Sequence, residues 1–281
     1  MEPFTISGIT LKIFMTSATF SAIIPNTLEP ITSLVEMFSA IQGEGMNVGT
    51  RQLFIRFASC DLRCTYCDSA HTWHPQAQGR IEQTPGQRDF ITVKNPVSLG
   101  QVLAWAEQLN ITHLHDSISL TGGEPLLAVD FLQQLLPSLK VRTQLPIYLE
   151  SGGHHPEALA QLLPQLDSIG MDIKLPSVAG ESHWPAHRAF LQACHAANKD
   201  VFCKVIISAH TTTQDLNQAR ALVAEINPDI PLILQPITPI GTGRLTHPPT
   251  PTQVLAWQGL LKQHLSQVRV IPQTHKFLHQ L

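Results

Sequence analysis

The chain of 281 residues is 43% apolar and only 14% charged, a balance that fills a sizeable core and excludes wholesale disorder. A formal charge of -3 leaves no basic excess for a nucleic-acid binder built on phosphate neutralisation, and no uninterrupted apolar run reaches the roughly 20 residues of a membrane span. What remains has the size of one large α/β domain or two small ones.

Residues 1–33 show no clear hydrophobic period and carry Pro25 and Pro30, so they read as an N-terminal extension or linker before a single domain over residues 34–281. Lys12 precedes a short apolar stretch, but Glu2 and scattered Ser and Thr make a poor signal peptide; a cytoplasmic location is expected, with Met15 as an alternative start. Short β-branched and aromatic runs then predict strands over residues 52–58, 117–121, 146–150, 168–173, 202–207 and 232–235. Amphipathic spacing predicts helices over 99–109, 130–139, 156–163, 214–226 and 252–265. Ser98 is the expected N-cap of the first, with Val102, Leu103, Ala106 and Leu109 on its buried face. The alternation predicts a parallel sheet covered by helices, about six βα units, with ligands bound at the carboxyl ends of the strands. Residues 71–96 show little period and read as a long loop, either a lid or a surface insertion. His113-x-His115-Asp116 precedes a strand instead of ending one and reads as solvated or helix-capping.

Five cysteines are an odd set, and Cys60, Cys64 and Cys67 fall in one short loop after the first strand. Such clustering suits a metal site in a reducing compartment better than a disulfide framework. Cys194 and Cys203 stand alone and read as packed small hydrophobes. Structural zinc and a fully protein-bound iron–sulfur cube each take four ligands, and the fourth cysteine is missing here. A three-thiolate cube would leave one iron open to an external ligand; the alternative is a Cys3His zinc site using His71 or His74. A second feature is Thr121-Gly122-Gly123-Glu124-Pro125 at the end of the second predicted strand, where glycines let a ligand approach freed backbone groups.

The C-x3-C-x2-C spacing, with Tyr66 before its last cysteine, resembles the radical S-adenosylmethionine superfamily, and the glycine pair resembles that family's motif for the methionyl amino group. Glu36-Met-Phe-Ser-Ala-Ile-Gln-Gly-Glu-Gly45 ahead of the cluster, Asp68-Ser-Ala-His-Thr-Trp73 after it and Gln273-Thr-His-Lys-Phe277 near the end narrow the resemblance, from Glu36 onward, to the 7-carboxy-7-deazaguanine synthase family. This likeness implies a partial (βα)6 TIM-like barrel, a 4Fe-4S cluster on Cys60, Cys64 and Cys67, S-adenosylmethionine as cofactor, and Mg2+. The implied reaction is radical ring contraction of 6-carboxy-5,6,7,8-tetrahydropterin with loss of ammonia. By position it implies Ser69 on Mg2+ and Ile41, Gln42, Gly43, Arg56, Thr121 and the terminal Leu281 on the substrate. Tyr66, Asp68, Gly123, Glu150, Asp172, Lys174, Gln235, Pro236, Ile237 and Thr238 are implied on S-adenosylmethionine. The Gln42 amide offers a paired donor and acceptor suited to an aminopyrimidinone edge. Arg56, inside an apolar strand, suits a carboxylate, with a structural ion pair as its alternative. Asp172-Ile173-Lys174 stands where some members carry Ser-Pro-Lys, so only the cation is kept. A flavodoxin or ferredoxin as electron donor and a homodimer are also implied. A glycyl-radical activating enzyme and a non-catalytic zinc module are the rival expectations.

Overall fold

In a computed structural model, residues 29–239 and 247–280 are described. Residues 1–28 and Leu281 lie outside them, and with them the expectations about Met15, the leader and the terminal carboxylate. The chain runs through β1 (Ile31–Thr32), β2 (Leu34–Ile41), β3 (Arg51–Phe57), β4 (Gln78–Glu82), β5 (Phe90–Lys94) and β6 (Val97–Ser98). It continues through α1 (Leu99–Leu109), β7 (Ser117–Gly122), α2 (Val129–Thr143), β8 (Ile147–Ser151), α3 (Pro156–Leu162), β9 (Ser168–Asp172), α4 (Pro176–Ala179) and α5 (Trp184–Ala196). The last elements are β10 (Asp200–Ile207), α6 (Thr213–Ile226), β11 (Leu232–Pro236), α7 (Pro251–Lys262), β12 (Val268–Val270) and α8 (Thr274–Phe277).

Ten strands form one sheet in the order β12-β11-β10-β9-β8-β7-β3-β2-β4-β5. From β3 to β12 every neighbouring pair is parallel, and the two ends of the sheet do not pair with each other, as a partial barrel requires. The six expected strands are all present. The two-residue period of each strand divides its side chains between two environments. On β10, Val201, Cys203, Val205 and Ile207 pack into the helix-covered core, whereas Phe202, Lys204 and Ile206 face an inner cavity. On β3, β8 and β9 the same division turns Arg56, Glu150 and Asp172 inward.

The expected buried face of α1 is present, with Val102, Leu103, Ala106 and Leu109 buried. Ser98 caps it in a reciprocal box, its Oγ accepting from Gln101 N and the Gln101 amide oxygen from Ser98 N. The elements depart from expectation in several places. Helix α5 was not anticipated: its buried stripe is His187, Phe190, Leu191 and Cys194, and a stripe that opens on histidine and closes on cysteine is easily missed. Residues 71–96 are not a structureless loop: β4 and β5 form an antiparallel hairpin, and β4 adds to the sheet beside β2. Leu34–Ile41, outside the expected strands, forms β2, antiparallel to β3. The extension does not run to residue 33, because Ile31 and Thr32 pair with Ser98 and Val97.

His115 is neither solvated nor a helix cap. It is buried, with Nδ1 bonded to Asn110 Oδ1 at 3.0 Å and Nε2 to Ser39 Oγ at 2.8 Å, and burial beside Arg51 lowers its pKa to about 4. Cys194 and Cys203 are fully buried, as expected. Among the described residues no helix is long and apolar enough to cross a membrane.

The hairpin is held to the sheet by a buried carboxylate. Glu82 accepts from Ser39 N through Oε2 and from Arg88 N through Oε1, each at 2.8 Å. Glu82→Ala strands two backbone donors at a cost of about 1–3 kcal/mol each. Hydrogen exchange should then accelerate over residues 78–94 while β7–β11 keep their protection; uniform loss across the sheet would contradict this local role.

Candidate active site

After β3 the chain turns through Ser59, at φ 81, into the loop that carries the cysteines. Its neck is closed by Ser59 N donating to Thr72 O at 2.8 Å, and Cys67 N donates to Cys64 O at 3.1 Å within it. Arg63 Nη1 donates to the carbonyls of Cys60 and Leu62, and the guanidinium lies 5.0 Å from the centroid of the Trp73 ring. Cys60, Cys64 and Cys67 all line one cavity of about 410 Å³ at the carboxyl ends of the parallel strands. Burial raises the Cys60 thiol to about 11 and also raises that of Cys64, so these sulfurs need an adjacent cation to stand as thiolates. Among the described residues, the donor sets drawn within 4.8 Å of one another are Asp61–His154–His155 and Glu44–Asp68–His275. The three sulfurs are not such a set; a single zinc with Zn–S bonds of about 2.3 Å would gather them more closely. His71 lines the cavity and His74 does not.

The glycine pair lines the cavity and also braces the cysteine loop. Gly123 N donates to Phe57 O at 3.1 Å and Glu124 N to Ser59 O at 2.9 Å, so these amides serve the cysteine loop and are not free for a ligand. A Cβ on Gly122, at φ 128, would sit 2.2 Å from Phe57 O, and one on Gly123 would sit 2.0 Å from Ser59 O. Only glycine permits this approach. Glu124, 1% exposed, accepts from Ser151 Oγ and Gly152 N, tying the turn to the end of β8.

Most of the residues implied by the family likeness meet in this cavity, but several have protein partners in the arrangement seen. Gln42 is buried, its Nε2 donating to Gln52 Oε1 at 3.0 Å and Glu150 Oε1 at 2.8 Å, and its Oε1 accepting from Glu44 N. The expected pairing of this amide with an aminopyrimidinone is not open to it here. Glu150 Oε2 accepts from Thr121 Oγ1 at 2.9 Å. Arg56 forms the ion pair foreseen as its alternative, Nε to Glu36 Oε1 at 2.7 Å, while still lining the cavity; Glu36 also takes Arg80 Nε at 2.7 Å. Lys174 Nζ lies 2.8 Å from Asp172 Oδ2 and 5.5 Å from the Tyr66 ring centroid. Burial alone would lower its pKa, but Asp172 and Tyr66 hold it well above the usual lysine value. Ser69 stands at the N-cap of the short helical turn that follows, but its hydroxyl makes no capping bond. Ile41, Gly43, Asp68, Ile237 and Thr238 also line the cavity, whereas Pro236, the last residue of β11, does not.

Two buried acceptors in this lining have no protein partner: Asp172 Oδ1 and Gln235 Oε1. Buried acceptors are normally satisfied, so both point to a ligand that brings N–H or O–H groups. Together with the thiol loop, they make the residues present a fit for a cluster and a polar organic cofactor.

Sequence reasoning missed the groups that organise the cavity floor. Lys204, inside the apolar run of β10, forms an ion pair with Glu44. Gln273 Nε2 donates to Glu44 Oε1 at 2.8 Å and to Asp68 Oδ2 at 2.9 Å, and Thr274 N donates to Gly43 O at 2.9 Å. The tail therefore closes on the loop after β2, although only as a motif were these residues noticed. A lysine interrupting an apolar strand was the available signal for Lys204. Burial would raise the Glu44 carboxyl, but Lys204 and the amides of Gln273 and Gln235 override it and hold it at about 2. The Glu150 carboxyl goes the other way, raised by burial and by Glu44 against the pull of Lys204 and Thr121.

Lys204→Met leaves Glu44 buried and unpaired, a change that costs about 3–5 kcal/mol. Because the Glu44 carboxyl is depressed from 4.5 to about 2, its contribution is present above pH 4.5 and lost as pH falls toward 2. Urea unfolding should show a gap between wild type and variant that is wide at neutral pH and narrows in acid; a pH-independent gap would contradict the pairing.

The Radical SAM superfamily model matches residues 54–210. The 7-carboxy-7-deazaguanine synthase of Geobacter sulfurreducens is 46% identical over 90% of this chain and 99% of its own length. The enzyme of the same name from Archaeoglobus fulgidus is 30% identical over 88% of this chain and 97% of its own. Among solved structures, QueE from Escherichia coli superposes with a TM-score of 0.56 at 18% identity, covering 86% of this chain and 94% of that one.

Proposed function

The chain belongs to the 7-carboxy-7-deazaguanine synthase family of the radical S-adenosylmethionine superfamily, and we propose that it converts 6-carboxy-5,6,7,8-tetrahydropterin to 7-carboxy-7-deazaguanine with release of ammonia. One observation carries the reading: the three cysteines, the end of β2 and the C-terminal Gln273–His275 stretch all line or border one cavity, with Gln273 bonded to Glu44 and Asp68. Cys60, Cys64 and Cys67 would hold a 4Fe-4S cluster, and three thiolates leave one iron for S-adenosylmethionine. When bound, cluster and cofactor supply the one-electron cleavage that yields a carbon radical able to take hydrogen from C6 of the substrate.

The protein's own groups bind and orient. Asp172 Oδ1 and Gln235 Oε1 are acceptors for the N–H and O–H groups of the small molecules. Lys174 and Arg56 present cations toward carboxylates, each steadied by an acidic neighbour, Asp172 and Glu36. Glu44 stays ionised against Lys204, while Glu150, the weaker acid, keeps its proton more readily. The tail, bonded through Gln273 and Thr274 to Glu44, Asp68 and Gly43, covers part of the cavity and excludes water there. The Ser69 hydroxyl, free of a capping role and next to Asp68, suits Mg2+, a hard cation that takes oxygen ligands. Flavodoxin or ferredoxin as reductant, and a homodimer as the working unit, are carried over from the family resemblance.

Anaerobic reconstitution followed by assay with S-adenosylmethionine, reductant and the carboxytetrahydropterin should yield the deazapurine and ammonia. Cofactor cleavage without deazapurine would point to another substrate. Ser69→Ala should raise the Mg2+ concentration needed for half-maximal turnover by at least about tenfold, with iron content unchanged; an unaltered Mg2+ dependence would remove this residue from the metal site.

A further inference from the structure

On the outer side of the cysteine loop lies a group of histidines that the reaction does not use. Asp61, between Cys60 and Leu62, has a side chain 43% exposed. His154 and His155 follow β8 through Gly152 and Gly153 and lead into α3. His154 Nε2 lies 2.9 Å from Asp61 Oδ1, and His155 Nε2 lies 2.9 Å from Asp61 Oδ2. The two imidazole centroids are 4.1 Å apart, and all three residues offer donor atoms within 4.8 Å of one another.

The surroundings of His154 leave one ring nitrogen buried without a partner. Its side chain is only 5% exposed, and its Nδ1 is buried without a hydrogen-bond partner, 3.9 Å from Glu124 Oε2. If Nε2 of a neutral ring carries the proton and donates to Asp61, the Nδ1 lone pair is left facing a carboxylate. If Nε2 instead gives its lone pair to a cation, Nδ1 carries the proton and faces Glu124 as a donor. That second arrangement is the carboxylate–histidine–metal pattern that orients ligating imidazoles. We propose that Asp61, His154 and His155 form a second metal site, separate from the three-cysteine centre, for a divalent first-row transition ion of the zinc class.

Two imidazoles and one carboxylate select such ions over Mg2+ or Ca2+, which take oxygen ligands. Three protein donors leave coordination positions open, and the exposure of Asp61 provides the way in. The ion would tie the segment between Cys60 and Cys64 to the turn after β8, a second fastening besides the Glu124 bonds.

The test uses zinc itself on the anaerobically reconstituted protein, whose cysteines are occupied, and in parallel on the Cys60→Ala/Cys64→Ala/Cys67→Ala variant. Both should retain one zinc per chain after gel filtration in excess Mg2+, so the outcome does not depend on the cluster assignment. His155→Ala and the bulk-conserving His155→Gln should each weaken retention by at least about tenfold, with fold checked by circular dichroism; if the first fails to fold, the second decides. Co2+ in place of zinc should give ligand-field bands without a thiolate charge-transfer band. Absence of retained zinc, undiminished retention in the folded His155 variants, or a cobalt-dependent thiolate band that the cobalt-free reconstituted protein lacks would each overturn the proposal.

Discussion

The site depends on a contact between two backbones. The cysteine loop can lie against the end of β7 only because Gly122 and Gly123 offer no Cβ, and the amides of Gly123 and Glu124 then bind Phe57 O and Ser59 O. Every other placement of the three sulfurs follows from that seam. Glu124 extends it to β8 through Ser151 and Gly152, so three successive strand ends share one set of bonds. A loop that carries a redox centre needs such fixed supports, because its ligand geometry has to survive gain and loss of charge.

A second constraint comes from the pleat of the strands. Each parallel strand shows alternate residues to the helices and to the cavity, and the inward position near the carboxyl end is polar in six of them: Arg56, Thr121, Glu150, Asp172, Lys204 and Gln235. The registers Arg56 opposite Thr121 and Lys204 opposite Asp172 put neighbouring members of this ring at one level. Buried charges at such density are tolerated only when they compensate one another. Glu44 and Lys204 do so, as do Arg56 with Glu36 and Lys174 with Asp172. Two acceptors, on Asp172 and Gln235, are left over without a protein partner.

The saturated state of Gln42, Thr121 and Glu150 bears on recognition. Their side chains bond one another across the cavity wall, so substrate entry either leaves that wall intact or exchanges these bonds for its own. Gln273 plays a similar part between Glu44 and Asp68. The pocket is thus held in shape by hydrogen bonds of the same kind that would hold its ligand, which reduces the reorganisation needed on binding.

Local pattern was enough to determine the six central strands, the capped helix at 99–109 and the thiol trio, because period, cap chemistry and spacing are properties of neighbouring residues. Local pattern failed for β2 and the β4–β5 hairpin, which are held by added sheet pairing, and for α5, whose His187 Nε2 donates to Gly152 O, none of it visible along the chain. Tertiary structure alone decided that Lys204 meets Glu44 across 160 positions and that Gln273 reaches Glu44 from the far end. Charge pairing in a buried cavity is set by which strand ends converge, and convergence is a property of the closed sheet, not of any segment within it.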